Sequence, residues 1–324
     1  MGSEERAARR VVKRAEKVER KADRTAARET RKAARVAKKA DGAELGRTRG
    51  TQFWADRLVV DGWRIQEHVQ FGRVRVVSGD NVRVHTGTSY EEAHAAFTEA
   101  IGTPQRKGSH LVVFLHGYGG KSQRMAELCA SAREAGFVAD AIEYPSLFRR
   151  VDEIADNVVQ LIVDSAAFRG RQVKTVSVVA FSMGGLVAST IIARLAARED
   201  APRVGRLVTI GTPHRGSPLA DLTKVFTVVG GPNITELTTL NQTQLGRLKK
   251  LKVSFGVVGG RGHRNGWTFI GLVDDGDGIV EIESAIAPEA DDSLVIDRVK
   301  HTKLPSNPEV IAGVIRFLGT GRFA

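Results

Sequence analysis

Cysteine is almost absent from the 324-residue sequence, in which Cys129 is the single example. One cysteine excludes an intramolecular disulfide, so the chain is not a disulfide-stabilised secreted scaffold. The N-terminus also lacks the apolar stretch of a secretory signal peptide, because residues 1–50 consist mainly of Ala, Lys, Arg and Glu. Both absences are typical of a reducing compartment, and we expect a cytoplasmic location.

Glycine and proline are absent from residues 4–40, a composition that favours one long helix. Residues 1–50 carry 17 Lys and Arg against 8 Asp and Glu, which is +9 of the total net charge of +12. We expect a basic arm, helical or partly disordered, that is merely solvated or makes a weak electrostatic contact with nucleic acid or an anionic membrane. Without Trp, Phe or Leu in residues 4–40, deep insertion into a bilayer is not expected.

Long uncharged runs are also scarce, and the longest of interest extends from Thr175 to Ala193. Its length alone would allow a membrane span. A small-residue break at Ser182–Gly185 divides it into a β-branched first half and an apolar second half. This pattern favours a buried strand followed by a helix, so we expect no transmembrane segment.

The sequence pattern of residues 51–107 predicts a β-rich segment with one helix. Short alternating apolar runs between Phe53 and Val84 indicate two or three antiparallel strands. Ser89, followed by Glu92, matches a capping box and predicts a helix that runs to about Ile101, where Gly102 follows.

Residues 108–324 alternate continuous apolar segments with amphipathic ones, which is the pattern of a parallel sheet covered by helices. The predicted strands are 111–115, 137–142, 173–181, 206–210, 253–258 and 294–298, and the predicted helices are 123–135, 151–168, 184–197 and 308–318. Residues 279–282 are expected to form a short edge strand or part of a loop. The fold class is therefore α/β, with a mostly parallel central sheet and helices on both faces.

Ser182 lies in the strand–turn–helix pattern of a nucleophile elbow, in the segment Ala180-Phe-Ser-Met-Gly184. The positions two before and two after the serine must be small, because the strand and the helix pass closely there. Ala180 and Gly184 meet this requirement, although alanine replaces the commoner first glycine. Ser182 is therefore a candidate nucleophile, and a serine in an ordinary tight turn is the alternative.

A glycine-rich turn, His116-Gly-Tyr-Gly-Gly120, follows the first predicted parallel strand. Backbone N–H groups in such a turn can stabilise the oxyanion of an acyl-transfer intermediate. We expect the oxyanion hole to consist of the backbone N–H groups of Tyr118 and Met183.

A serine nucleophile needs a base and an orienting acid. In folds with a nucleophile elbow, the three residues occur along the chain in the order Ser, Asp, His. His301 follows the last predicted strand and is the preferred base, whereas His263 is expected in a loop. Asp277 is the preferred acid and Asp275 the alternate, with Asp221 a remote third option. The acidic run does not match an EF-hand, since position 12 counted from Asp275 is isoleucine, and no metal site is expected.

Taken together, five ordered motifs resemble the α/β-hydrolase superfamily, in particular bacterial lipases and esterases. They are His116-Gly-Tyr-Gly-Gly, Ala180-Phe-Ser-Met-Gly-Gly, Gly211-Thr-Pro-His-Arg-Gly-Ser, Asp277-Gly-Ile-Val and His301. The resemblance covers roughly residues 108–320. It implies an α/β-hydrolase fold, a triad of Ser182, His301 and Asp277, and hydrolysis of a small-molecule or lipid-like carboxylic ester through an acyl-enzyme. It implies no cofactor.

Several points stay open at the level of sequence. His116, His214 and Phe226 are candidates for the wall of the substrate pocket, although the segment around Phe226 could equally form a helical connection. His214 is also a minor alternative for the base. The same triad would serve a thioesterase or an amidase. A different hypothesis is an anion-binding protein that acts through the basic arm, residues 1–50.

Overall fold

The computed structural model describes residues 50–104, 106–170, 172–216, 245, 248–263 and 275–324. The arm predicted over residues 1–50 therefore lies outside the described residues, apart from Gly50, and so do Phe226 and Asp221.

Four short strands form an antiparallel sheet, here called the small sheet, in the order of the chain. They are β1 (Trp54–Val60), β2 (Trp63–His68), β3 (Val74–Val77) and β4 (Arg83–Gly87). One face packs Ile65 and Val76 against the helix α1 (Tyr90–Ile101). The sequence predicts two or three strands here, and the structure has four.

The ends of α1 are set by local side-chain and backbone chemistry, as the sequence predicts. Ser89 is the N-cap, and its hydroxyl accepts a hydrogen bond from the Glu92 N–H group at 3.2 Å. Gly102 ends the helix at φ +61°, a conformation that glycine adopts at little cost. The predicted start of this helix at Ser89 is confirmed.

Six parallel strands form the central sheet, in the spatial order β10-β9-β8-β7-β5-β6. The strands are β5 (His110–Leu115), β6 (Val138–Ile142), β7 (Thr175–Phe181), β8 (Arg203–Ile210), β9 (Ser254–Arg261) and β10 (Asp292–Asp297). The helices are α2 (Ala126–Glu134), α3 (Val151–Phe168), α4 (Gly184–Leu195), α5 (Ile282–Ala285) and α6 (Pro308–Thr320).

Two apolar clusters enclose the central sheet. One contains buried residues of α3 and α4, and the other contains buried residues of α2 and α6. Strands buried on both faces require continuous apolar sequence, and this is why β5 and β7 read as unbroken apolar runs. The predicted α/β fold class, with helices on both faces of a parallel sheet, is confirmed.

The uncharged run from Thr175 to Ala193 forms β7, the turn at Ser182 and most of α4. Within the described part of the chain, no helix is both long and apolar enough to cross a membrane. The run is apolar because β7 is a central strand and α4 packs directly on the sheet.

Two local predictions need adjustment. The helix predicted from residue 123 begins as a 3₁₀ helix over Ser122–Met125 and becomes α-helical at Ala126. Residues 279–282 do not form an edge strand: an isolated bridge joins Gly276 to Glu281, and α5 follows at once.

The small sheet packs on the β6 edge of the central sheet, and residues 50–324 form one compact unit. The Asp56 backbone N–H donates to the Glu143 carbonyl at 3.0 Å, and the Asp56 carboxylate accepts from the Glu143 N–H at 2.7 Å. Arg64 pairs with the same carboxylate. These hydrogen bonds and this ion pair place the start of the small sheet beside the loops that follow β5 and β6.

Candidate active site

Ser182 occupies the sharp turn between β7 and α4 with φ +54°. Left-handed backbone at a residue with a Cβ atom is strained and persists only where the surroundings hold it. The Ser182 N–H donates to the Ile210 carbonyl at 2.8 Å, and its carbonyl accepts from the Thr212 hydroxyl at 2.9 Å and from the Gly185 N–H at 3.0 Å. The side chain is only half-buried, so a substrate can reach it.

The turn is possible because glycines surround it. A Cβ atom on Gly184 would lie 2.5 Å from the His116 carbonyl oxygen, and one on Gly185 would lie 2.2 Å from Thr212 Oγ1. On the opposite side, a Cβ on Gly117 would lie 2.9 Å from Ser182 Cβ. The sequence identified the need for a small residue at Gly184; Gly185 and Gly117 meet the same need across other loops.

His301 lies at the start of a 3₁₀ helix that follows β10, and its ring faces Ser182. Nε2 is 3.1 Å from Ser182 Oγ, and Nδ1 is 2.7 Å from Asp277 Oδ2. The ring packs on Phe181 at a centroid distance of 4.8 Å and is 4% exposed. A carboxylate can only accept, so this geometry puts the ring proton on Nδ1 and leaves Nε2 to accept the Ser182 hydroxyl proton.

Asp277 is held by the backbone of its own turn. Its Oδ1 accepts from the N–H groups of Ile279 at 3.0 Å and Val280 at 2.9 Å, which leaves Oδ2 for His301. The His301 backbone N–H also donates to the Asp277 carbonyl at 2.9 Å. The side chain is 1% exposed, and three donors satisfy the hydrogen-bonding capacity of this buried carboxyl group.

Asp275, the alternate acid, points elsewhere. Its Oδ1 accepts from the Gly262 N–H at 2.9 Å, and the residue is exposed. The structure therefore brings Asp277, and not Asp275, to His301. His263 lies in the loop predicted for it, where its N–H donates to the Gly276 carbonyl at 3.0 Å.

The glycine-rich loop after β5 passes beside the Ser182 turn. Within this loop the Gly119 N–H donates to Ser146 Oγ at 2.9 Å, and the Gly120 N–H donates to the Gly117 carbonyl at 3.0 Å. Both amides are therefore used to fix the loop itself. Tyr118, which lies between Gly117 and Gly119, is half-buried.

Gln52, from the segment before the small sheet, braces this loop. Its Nε2 donates to the Gly120 carbonyl, and its Oε1 accepts from the Ser146 hydroxyl at 3.0 Å and from the Leu147 N–H at 3.1 Å. Ser146 in turn accepts from Gly119. Sequence reasoning missed both Gln52 and Ser146, because neither belongs to a local motif and their contacts join residues 27 to 95 positions apart.

His116 contacts the glycine-rich loop on its buried side. Its ring is fully buried, stacks on Tyr144 at a centroid distance of 4.0 Å, and places Nδ1 2.7 Å from the Gly117 carbonyl oxygen. The Tyr144 hydroxyl donates to the His116 carbonyl. Burial lowers the pKa of His116 to about 4, so the ring is neutral at pH 7. A residue with no exposed surface does not line a pocket, and this corrects the pocket role predicted for His116.

His214 is also fully buried. Its Nε2 lies 2.8 Å from Thr209 Oγ1, and its ring packs edge-on against Phe255. The His214 N–H donates to the Ser284 carbonyl at 2.9 Å, which ties this loop to α5. Burial lowers the pKa of His214 to about 3. His301, and not His214, contacts Ser182 Oγ, so the minor assignment of His214 as the base fails. Its full burial excludes it from the pocket wall.

Among the residues that the structure describes, no group of three or more His, Cys, Asp or Glu side chains could hold a metal ion. Cys129 is buried in α2, and burial raises the pKa of its thiol to about 11. A thiol of that kind is not a competing nucleophile.

Residues 105–252 match the protein family described as "Putative serine esterase (DUF676)". The lipase BlEst2 from Bacillus licheniformis superposes with a TM-score of 0.51 and 19% identity in its mature form, covering 68% of this chain and 94% of that one. Its propeptide form gives a TM-score of 0.50 and 20% identity, covering 63% of this chain and 48% of that one. A gene product of Listeria innocua gives 0.49 and 14% identity, covering 66% and 95%. No curated protein matches the chain.

The structural likeness to the lipase, at 19% identity, shows the fold, and the family matched over residues 105–252 is described as a family of serine esterases. Both agree with the order of the motifs along the sequence. The chain is a serine ester hydrolase with an α/β-hydrolase fold.

Proposed function

We propose that Ser182, His301 and Asp277 form a catalytic triad that cleaves carboxylic esters through an acyl-enzyme. One observation carries the proposal: the continuous hydrogen-bonded path from Ser182 Oγ through both ring nitrogens of His301 to Asp277. Nucleophile, base and acid in this arrangement are what acyl transfer requires.

In the first half of the reaction, Ser182 Oγ attacks the ester carbonyl carbon while His301 Nε2 takes the hydroxyl proton. Asp277 stabilises the imidazolium that results. The tetrahedral intermediate collapses to an acyl-serine, and His301 gives its proton to the departing alcohol. A water molecule, deprotonated by the same ring nitrogen, then attacks the acyl-serine and releases the carboxylic acid.

The negative charge that develops on the carbonyl oxygen needs fixed donors. We assign this role to the backbone N–H groups of Tyr118, within the glycine-rich loop, and of Met183, which directly follows Ser182. The Gly119 and Gly120 amides are already engaged inside the loop, and this supports the choice of Tyr118. Preorganised donors of this kind typically contribute about 10²- to 10³-fold to kcat each.

Hydrolysis of p-nitrophenyl butyrate by the full chain tests the proposal. Ser182→Ala should reduce kcat to near the background rate, and His301→Ala should reduce it by about 10³-fold or more. Ser306→Ala, a conservative change at an exposed hydroxyl, is the matched control and should leave kcat unchanged. Full activity in Ser182→Ala would exclude this serine as the nucleophile.

The bond that is cleaved can be identified with the same acyl group on different leaving groups. Butyryl ester, thioester and anilide substrates all form one acyl-enzyme, so their kcat/KM values differ in the first step only. We expect the ester to have the highest kcat/KM. A higher value for the thioester or the anilide would reassign the substrate class and leave the triad assignment intact.

A further inference from the structure

Three phenylalanine side chains from separate parts of the chain lie together at the surface, on the β6 side of the central sheet. Phe53 precedes β1, Phe71 lies in the turn between β2 and β3, and Phe148 follows β6. The rings of Phe53 and Phe148 stack at a centroid distance of 4.6 Å. The buried ring of His68 joins the other two, with its centroid 5.8 Å from Phe53 and 4.9 Å from Phe71. We call Phe53, Phe71 and Phe148 the aromatic strip.

Much of the aromatic strip is open to solvent. Phe71 is 56% exposed and Phe148 is 42% exposed, whereas Phe114 and Phe255 are fully buried in the core of the central sheet. Single exposed apolar residues are common on protein surfaces, but contiguous exposed aromatic rings mark a binding site. The aromatic strip is therefore a candidate binding surface.

Hydrogen bonds hold together the three segments that carry the strip. The Val69 N–H donates to the Phe53 carbonyl at 2.9 Å, and the Arg149 guanidinium donates to the Val69 carbonyl at 3.0 Å. The side chain of Gln52 accepts from the Leu147 N–H at 3.1 Å. The positions of the rings are therefore fixed before any ligand arrives, which lowers the entropic cost of binding.

The aromatic strip is continuous with the glycine-rich loop. Leu147, directly before Phe148, is in contact distance of that loop, because a Cβ atom on Gly119 would lie 3.6 Å from Leu147 Cδ2. Gln52, directly before another ring of the strip, donates to a carbonyl of the same loop. Since the glycine-rich loop passes beside the Ser182 turn, an apolar surface extends from the candidate active site to the strip.

The order of strands in the central sheet determines which part of an ester lies toward the strip. Ser182 directly follows β7; β5 and β6 lie on one side of this strand, and β8, β9 and β10 lie on the other. His301 follows β10. In the reaction proposed above, His301 protonates the departing alcohol, so the alcohol part lies on the β10 side and the acyl chain extends over β5 and β6. The aromatic strip lies on the side of the acyl chain.

We propose that the aromatic strip binds the acyl chain of the ester substrate and selects medium- or long-chain esters over short-chain ones; this rests on the triad proposed above. An acyl chain is linear and apolar, so it can lie along a row of rings and cover their exposed surface. Neighbouring rings of the row are 4.6 to 5.8 Å apart, so a short acyl group on Ser182 ends before it reaches Phe71. The length of the acyl chain therefore determines how many rings the substrate contacts.

The ratio of kcat/KM for p-nitrophenyl octanoate to kcat/KM for p-nitrophenyl butyrate, measured on the full chain, tests the proposal. A half-buried methylene raises kcat/KM about twofold, so the longer acyl chain should make this ratio about 15. Phe148→Ala should reduce the ratio to about 4, because the ring next to Leu147 is lost. Any displacement of the glycine-rich loop would change both kcat/KM values alike and cancel in the ratio.

Phe137→Ala is the matched control, because Phe137 is also partly exposed but lies just before β6, at the end of that strand away from the Ser182 site. It should leave the ratio at the native value. Phe71→Ala removes the ring that joins the strip through His68, so it should lower kcat/KM for p-nitrophenyl decanoate about threefold more than for the octanoate. Thermal unfolding verifies that all three variants fold.

A native ratio of one or less would overturn the proposal, even if hydrolysis of the butyrate, absent in Ser182→Ala, supports the triad. An equal ratio in the native chain and in Phe148→Ala would overturn it as well. If the native chain cleaves neither ester, the proposed function fails and this inference fails with it. Sedimentation with phosphatidylcholine vesicles tests another occupant: vesicle binding that Phe148→Ala abolishes, with an unchanged ratio, would assign the strip to a membrane surface instead.

Discussion

The strained backbone of Ser182 has a local structural explanation. Left-handed φ at a residue with a side chain costs about 1 kcal/mol or more. The hydrogen bond that Ser182 donates to Ile210 and those that it accepts from Thr212 and Gly185 offset this cost. The strain turns Oγ out of the sheet toward His301. The same few contacts therefore fix both the backbone conformation of Ser182 and the direction in which its Oγ points.

Asp277→Asn tests the role of the acid. An amide does not stabilise the imidazolium and favours the wrong ring tautomer, so kcat for p-nitrophenyl butyrate should fall by about 10³- to 10⁴-fold at pH 7. Asp275→Asn, two residues away and bonded to Gly262, should change kcat by less than about twofold. Equal losses in the two variants would contradict the assignment of Asp277.

Sequence reasoning favoured the carboxylate that contacts His301 only as a preference among neighbours. Asp275 and Asp277 are both acidic and close to Gly278, and no local pattern separates them. The distinction arises in three dimensions, because the turn at Gly278, with φ +90°, brings the Ile279 and Val280 amides onto Asp277. The same limit applied to His116 and His214, whose burial depends on neighbours distant in sequence.

At the level of elements, the β7–α4 connection depends on backbone proximity. Gly184→Ala would place a Cβ 2.5 Å from the His116 carbonyl oxygen, a backbone atom that cannot move aside. We expect a loss of at least about 2 kcal/mol in the free energy of unfolding and a marked fall in kcat. Urea denaturation followed by circular dichroism measures the first quantity.

Gly319→Ala is the matched control for that change. Gly319 lies in α6, and an added Cβ meets no atom within 4 Å. Alanine should leave stability unchanged or raise it by up to about 1 kcal/mol. If Gly184→Ala were equally harmless, the close packing of the Ser182 turn would not be a requirement of this site.

The segment before the small sheet provides a second prediction at this scale. Gln52→Ala removes the links to Gly120, Ser146 and Leu147, so the glycine-rich loop should lose its fixed position. We expect kcat to fall about tenfold with little change in KM, because the oxyanion donors act in the transition state. Steady-state kinetics on p-nitrophenyl butyrate measures both.

Two further variants decide whether Gln52 is a positioning residue. Gln52→Glu keeps the acceptor for Ser146 and Leu147 and should recover part of kcat, whereas Gln70→Ala, at an exposed glutamine, should have no effect. A drop in unfolding free energy with unchanged kcat would show that Gln52 serves stability only.

The strands of the central sheet could be predicted from the sequence more completely than those of the small sheet. The central strands are buried on both faces, so β5 and β7 appear as apolar runs whatever their partners. In the small sheet, β4 carries Val84 at 48% exposure, so its apolar residues do not mark a buried face. Its pairing with β3 depends on cross-strand contacts that no local pattern records.

For the whole molecule, the buried neutral histidines predict how stability depends on pH. Burial lowers the pKa of His116 to about 4 and of His214 to about 3, against 6.5 in the unfolded chain. Below pH 6.5 the unfolded chain takes up protons that the folded chain does not, so stability falls with falling pH until these folded-state values are reached. Each histidine contributes about 2 kcal/mol to that loss between pH 7 and pH 5.

A variant isolates this effect from opposing groups such as Asp56, whose pKa is raised to about 6 by burial. His214→Gln retains a hydrogen-bonding partner for Thr209 and cannot titrate. The difference in unfolding free energy between pH 7 and pH 5 should shrink by about 2 kcal/mol in this variant. His94→Gln is the control, and a change of the same size there would contradict the account.

On the scale of the whole chain, residues 51–107 brace the glycine-rich loop through Gln52. They also join the small sheet to the central sheet through Asp56, whose carboxylate accepts from the Glu143 N–H. The hydrolase resemblance began at about residue 108 and left this segment unexplained. Contact of the basic arm with nucleic acid or membrane, and the cytoplasmic location, stay predictions.

The central claim is that Ser182 is the nucleophile, and covalent labelling tests it most directly. The native chain is treated with a fluorophosphonate, and the adduct is located by peptide mass spectrometry. We predict one adduct per chain, on Ser182, and none in Ser182→Ala at the same reagent concentration. An adduct on another serine of the native chain, or undiminished labelling of Ser182→Ala, would contradict the account.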